Sequence, residues 1–115
     1  MASGDLTVEE QVLDGVHLIA ADGELDNLTC KLVADALRRA THHGEGPVVL
    51  DLGQTAFIDS AGISTLLNAL RRLTRQRRRM VVVCPPGPSR RVFELLGLVG
   101  TFELFDTRKQ AFATV

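Results

Sequence analysis

The chain has 115 residues, of which 45% are hydrophobic and 23% charged, and its formal net charge at neutral pH is -1. This length fits one globular domain able to bury about two thirds of the surface its unfolded chain exposes, with no room for a second core. A near-neutral balance with only 4% aromatic residues argues against a single-stranded nucleic-acid binder, which needs a basic groove and stacking rings.

Cys30 and Cys84 are far apart and no hydrophobic signal segment opens the sequence. Two reduced thiols in a cytoplasmic protein are therefore expected, rather than a disulfide framework or a clustered metal site. Apolar stretches such as residues 80–84 fall far short of the roughly 18 residues a membrane helix requires. The small net charge hides a division: residues 1–59 carry 3 basic and 11 acidic side chains, and residues 60–115 carry 10 and 3. A folded sheet interleaves both halves of a chain, so this polarity need not reach the surface.

In chain order, residues 1–5 read as a flexible start. Leu6 to Val12 and Val16 to Ala21 read as strands joined by Asp14-Gly15, a strong hairpin signal. Leu28, Leu32, Val33, Ala36, Leu37 and Ala40 then recur at helical spacing, with Asp26 or Asn27 suited to cap the helix start. Pro47 leads into Val48 to Leu52, a β-branched run suited to a strand covered on both faces. The helix expected beyond Ser60 carries Ile63, Leu66, Leu67, Leu70 and Leu73 on one stripe and Asn68, Arg71, Arg72 and Arg75 on the other. Arg77 to Arg79 then suit the negative end of that helix's dipole.

Met80 to Cys84 reads as another buried strand, stopped by Pro85-Pro86. Pro88 suits the first turn of a helix that would bury Val92, Phe93, Leu95 and Leu96 and end at Gly97. Phe102 to Phe105 reads as a last strand, and Asp106 as the cap of a final helix through Ala113. The result is one α/β domain in residues 6–115. Its order is β-β-α-β-α-β-α-β-α, with a mixed, mostly parallel sheet of about four to five strands and about four helices.

The junction from Val48 to Gly62 is the most informative segment, because it places the Ser60 hydroxyl where a strand meets a helix. A helix start offers unpaired backbone N–H groups and a positive dipole end, a favourable place for a phosphate. On its own, Ser60 could equally be a helix N-cap, and Asp59 and Asp26 capping carboxylates.

Three segments in this order and spacing resemble the STAS domain, specifically the stand-alone bacterial anti-sigma factor antagonists. They are Gly23-Glu24-Leu25-Asp26, the strand and Asp59-Ser60-Ala61-Gly62 of residues 48–62, and Val92-Phe93-Glu94-Leu95-Leu96-Gly97-Leu98. The likeness spans about Leu6 to Ala113. It implies a partner-switching cycle. The unphosphorylated domain binds an anti-sigma factor that is itself a serine kinase, so freeing a sigma factor; phosphorylation at Ser60 reverses this and a serine phosphatase restores it. It also implies a kinase-facing surface drawing on Glu24, Asp26, Asp59, Ser60, Ala61, Gly62 and Ser64. Two positions depart from the family pattern. Ala61 replaces a usual serine or threonine and leaves Ser60 without a neighbouring phosphoacceptor. Ser64 replaces a glycine and lies one helical turn beyond Ser60 on the same face, where it could line the partner surface or accept a minor phosphorylation.

An enzyme is the competing class. No Gly-x-Ser-x-Gly elbow surrounds Ser60, His17, His42 and His43 suggest no triad, and there is no phosphate-binding P-loop. Catalytic residues, a cofactor and a metal are therefore not expected; the His42-His43 pair lacks nearby ligands and reads as solvent-facing. The run Arg71 to Arg79 reads as a solvated helix face rather than a nucleic-acid patch. A constitutive scaffold that keeps the fold and ignores the state of Ser60 is the other alternative.

Overall fold

The computed structural model describes residues 5–115. Of the expected flexible start, residues 1–4 lie outside the described part, while the Asp5 carbonyl accepts a hydrogen bond from the Glu24 amide at 3.0 Å. Nine elements follow in the expected order: β1 (Leu6–Leu13), β2 (Val16–Leu25), α1 (Cys30–His42), β3 (Val48–Ile58), α2 (Ser60–Arg75), β4 (Met80–Val83), α3 (Pro88–Leu95), β5 (Glu103–Phe105) and α4 (Arg108–Thr114).

The five strands form one sheet in the order β1-β2-β3-β4-β5. The hairpin pairs β1 antiparallel to β2, and the remaining neighbours are parallel. Asp14 and Gly15 take φ values of 51° and 79°, the left-handed pair that a two-residue turn needs to follow strand twist. Side chains alternate across the sheet. Ile19, Leu50 and Val82 face a core shared with Val33, Ala36 and Leu37 of α1, Ile63, Leu66 and Leu73 of α2, and Phe93 of α3. Leu18, Val49 and Val81 face the opposite side, where Ala111 and Phe112 of α4 cover them. Inside the larger core Phe93 meets Phe102 edge to face, with ring centroids 5.3 Å apart. Such a pair contributes about 0.5–1.5 kcal/mol beyond its buried area.

Several elements differ from the sequence reading. β2 continues to Leu25 and β3 to Ile58, past residues that discourage strand. The extension passes through register shifts between Ala20 and Asp22 and between Gly23 and Glu24, and bulges tolerate glycine and unpaired polar residues. Side chains brace the stretch: Asp51 Oδ1 accepts from the Gly53 amide at 2.7 Å, and the Thr55 hydroxyl donates to the Ala21 carbonyl at 2.8 Å. Gly23 has φ 130°, and a Cβ there would stand 2.3 Å from the Asp5 carbonyl oxygen, so the backbone of β1 needs this glycine.

At the start of α1 the capping position is Thr29, and neither Asp26 nor Asn27 caps the helix. Asp26 instead closes the turn before it, which leaves Leu28 outside the helix and 70% exposed. α3 buries Phe93, half-buries Val92 and leaves Leu95 and Leu96 in solvent, because the helix stops at Leu95 and the chain reverses at Gly97 (φ 69°). The Leu98 amide then donates to the Phe93 carbonyl at 2.9 Å, and Leu98 packs on the core in their place. Phe102 precedes β5, and α4 is capped by Thr107, whose hydroxyl accepts from the Gln110 amide at 3.1 Å, rather than by Asp106. Arg78 corrects the reading of residues 71–79 as wholly solvated. It is 7% exposed and donates to the Gly46 carbonyl at 2.8 Å and the Ala40 carbonyl at 2.7 Å, tying α2's exit to the end of α1.

Candidate functional site

The C-terminal ends of β2 and β3 carry the candidate residues, and one carboxylate joins the two loops that leave them. Asp59, not Ser60, is the N-cap of α2: its Oδ1 accepts from the Gly62 amide at 2.9 Å while its backbone is extended. Its Oδ2 accepts from the Asn27 amide at 3.1 Å across the gap to the loop after β2. The Asp59 amide donates to the Leu25 carbonyl at 3.1 Å, so the junction is held at three points. Both carboxylate oxygens are occupied in holding backbone, and the cap oxygen adds negative charge at the positive end of the helix dipole.

Asp26 is 6% exposed and builds the neighbouring loop from within. Its Oδ1 accepts from the Leu28 amide at 2.9 Å and the Thr29 amide at 3.1 Å, and the Thr29 hydroxyl donates to the Glu24 carbonyl at 2.6 Å. Glu24 is half-buried and sits opposite Phe57 in the pairing of β2 with β3. The two sequence segments singled out around Asp26 and Asp59 are thus one structural unit.

Ser60 is the first helical residue of α2 and is exposed. The cap engages the Gly62 amide and the Ile63 amide bonds the Asp59 carbonyl at 3.0 Å, leaving the Ser60 and Ala61 amides as the open donors of the helix start. Ala61 is half-buried and Ser64, one turn on, is exposed. Gly62 is buried beneath the helix start. A Cβ there would meet Ile58 Cγ1 and the Leu25 carbonyl oxygen at 2.8 Å, so its absence lets α2 sit directly on the strand ends. The resemblance placed Gly62 in the kinase-facing surface; the structure buries it and gives it a packing task beneath the helix.

No histidine shares this end of the domain. His17 opens β2 while His42 and His43 close α1, at the other ends of those elements. The Ser60 hydroxyl accordingly has no histidine at its end of the domain. Nor does any group of three or more His, Cys, Asp or Glu side chains there converge as metal ligands. Cys30 and Cys84 are both free thiols, and burial pushes Cys84 up to about 11, which keeps it protonated. Among the described residues no helix is long and apolar enough to cross a membrane.

Fold and site together define a small mixed-sheet α/β domain that presents an exposed serine at a strand-to-helix corner braced by Asp59. The chain belongs to the STAS domain family, whose family model matches residues 7–111. It is 29% identical over 114 residues to the anti-sigma-F factor antagonist RsfB of Mycobacterium tuberculosis, covering 99% of this chain and 93% of that protein. The crystal structure of an anti-sigma factor antagonist from Mycobacterium paratuberculosis superposes with a TM-score of 0.89 at 27% identity, covering 99% of this chain and 97% of that one. The phosphorylated form of the Bacillus cell fate determinant SpoIIAA shares the fold, with a TM-score of 0.70, 21% identity and coverage of 96% and 98%.

Proposed function

We propose that this chain is a cytoplasmic anti-sigma factor antagonist whose unphosphorylated form binds an anti-sigma serine kinase and releases a sigma factor, with phosphorylation of Ser60 ending the interaction. A serine phosphatase returns the domain to its binding form. The carrying observation is the exposed Ser60 at the first position of α2, on a corner fixed by Asp59 and with Ala61 in place of a second hydroxyl. The family membership and the names of the relatives support the same role.

The division of labour follows from the residues. The kinase brings nucleotide, metal and base, and this chain contributes a hydroxyl held on a rigid backbone. The Ser60 oxygen attacks the γ-phosphorus of ATP, its proton passes to the kinase base, and ADP leaves. The product carries about -1.5 to -2 charge beside Asp59 and Glu24, so a partner surface that fits the free serine meets added repulsion and a bulkier group. A loss of about 3 to 4 kcal/mol corresponds to a several-hundred-fold weaker complex.

The test is the affinity of the purified anti-sigma kinase for wild type and for Ser60→Asp. The reading expects Ser60→Asp to bind at least about tenfold more weakly, a difference of about 1.4 kcal/mol. Equal affinities would favour a constitutive scaffold and overturn it.

A further inference from the structure

Among the described charged side chains that form no ion pair, which include Lys31, Glu45 and Arg91, two groups lie at opposite ends of α2. Ion pairs consume Arg38, Arg39, Arg79, Arg90 and Arg108, matched with Asp35, Glu10, Glu103, Glu94, Asp106 and Asp51. Among the described residues Arg71, Arg72, Arg75 and Arg77 form no ion pair, and all but the half-buried Arg72 are exposed. Asp5, Glu24 and Asp59 likewise form none. They gather where β2 and β3 end, since Asp5 bonds the Glu24 amide and Asp59 follows the strand paired with Glu24.

The helix connects the two sets. Ser60, Ser64, Asn68, Arg71 and Arg75 are all exposed and fall within about 80° of one another at 100° per residue. At a rise of about 1.5 Å per residue, Arg75 lies about 22 Å from Ser60. One molecule therefore cannot bring its own arginines to its own acidic end. Placed end to end, a second copy does so.

We propose that Arg71 and Arg75 on the exposed face of α2, flanked by Arg72 and by Arg77 just beyond the helix, form a docking surface for the acidic Ser60 end of a second copy of this chain, in a head-to-tail contact that a phosphoryl group on Ser60 strengthens. Charge complementarity selects this occupant. The stripe lies on an exposed helix face, offers no aromatic ring for base stacking, and finds carboxylates without ion pairs on the chain itself. Such a contact is heterologous, so assembly into chains or rings grows with concentration. Exposed charges attract weakly unless several act together, whereas phosphate and guanidinium form short, charge-assisted, bidentate bonds. In the head-to-tail state the phosphoserine of one copy is covered by the arginines of the next, which shields it from a phosphatase. Only the phosphoryl part of this proposal rests on the reading of Ser60 above; the contact between unmodified copies does not.

Sedimentation equilibrium of the full chain tests it, with phosphoserine inserted at position 60 during translation so that no kinase is required. The expected result is self-association at about 0.01 M salt that is lost at about 1 M, where the screening length falls from about 30 to about 3 Å. Phosphoserine at 60 should tighten it at least about tenfold. Two charge-reversed chains give the specific control: Arg71→Glu/Arg75→Glu and Asp5→Lys/Glu24→Lys should each be monomeric alone and associate when mixed. A wild-type chain monomeric at every ionic strength, or a mixture that stays monomeric, overturns the proposal. So does binding of duplex DNA or anionic vesicles by the stripe without self-association. If the unmodified chains associate and phosphoserine adds nothing, the phosphoryl part fails and the contact stands.

Discussion

Replacing Asp59 separates the two tasks of its carboxylate. Asp59→Ala removes the cap of α2, typically about 1 kcal/mol, and the bond from the Asn27 amide, about 0.5–1.5 kcal/mol at an exposed site. The sum is about 1.5–2.5 kcal/mol. Asp59→Asn keeps an acceptor for the Gly62 amide, since asparagine caps as well as aspartate, but turns an –NH₂ toward Asn27. It should lose only the second contribution; the helix-dipole contribution of about 0.3–1 kcal/mol is lost in both variants, so Asp59→Asn should cost about 1 kcal/mol less than Asp59→Ala. Urea unfolding measures the stabilities, and hydrogen exchange at the Asn27 amide reads the bridge directly. Asp59→Asn should release that amide while the first turn of α2 stays protected; in Asp59→Ala both should open. If Asp59→Asn leaves Asn27 protected, or if it costs as much as Asp59→Ala with α2 equally frayed, the description of Asp59 as a two-handed clamp is wrong.

Gly62→Ala should destabilise by about 1–3 kcal/mol despite the better helix propensity of alanine, because its Cβ collides with Ile58 and Leu25; a urea midpoint at or above wild type would contradict this. Arg78→Ala should cost about 3 kcal/mol or more by orphaning the Ala40 and Gly46 carbonyls, whereas Arg77→Ala, on the surface, should change the midpoint little. The pKa of His17 is lowered by burial, by the nearby Arg78 and by His43. The folded state thus prefers neutral His17, so its contribution is intact above the unfolded value of about 6.5 and declines as pH falls below it. Thermal melts between pH 7 and pH 5 should show that decline in wild type and a shallower one in His17→Gln.

The order of elements was legible because each core stripe repeats at its own period: Val33, Ala36, Leu37 and Ala40 in α1, Ile63, Leu66 and Leu73 in α2, and the apolar runs of β3 and β4. The ends of the elements were less so. Gln54 to Ala56 extends β3 because Thr55 and Asp51 bond a neighbouring strand and a bulge, and a pairing partner distant in sequence cannot be read from local propensity. Leu95 and Leu96 continue the apolar pattern of α3, yet the reversal at Gly97 hands their place in the core to Leu98.

At the site, the positions of Ser60, Asp59 and Asp26 were legible, and their division of labour was not. The bridge from Asp59 to Asn27 spans 32 residues of sequence, and the buried turn made by Asp26 looks locally like an ordinary helix cap. Arg78 was missed because it sits inside a run of surface arginines. Nothing local distinguishes it except the helix end at Gln76 and the left-handed Arg77 (φ 58°), which turn its side chain inward.

The central claim is that Ser60 is a substrate for another enzyme. Recovering the chain from its native cells under two growth conditions, and measuring the mass of the peptide that contains Ser60, tests it most directly. The account predicts a single phosphate on Ser60 whose occupancy changes between the conditions, with the anti-sigma kinase co-purifying when it is absent and no phosphate in Ser60→Ala. Phosphate that persists in Ser60→Ala, for example on Ser64, or a Ser60 unmodified in cells while the kinase comes and goes, would contradict it.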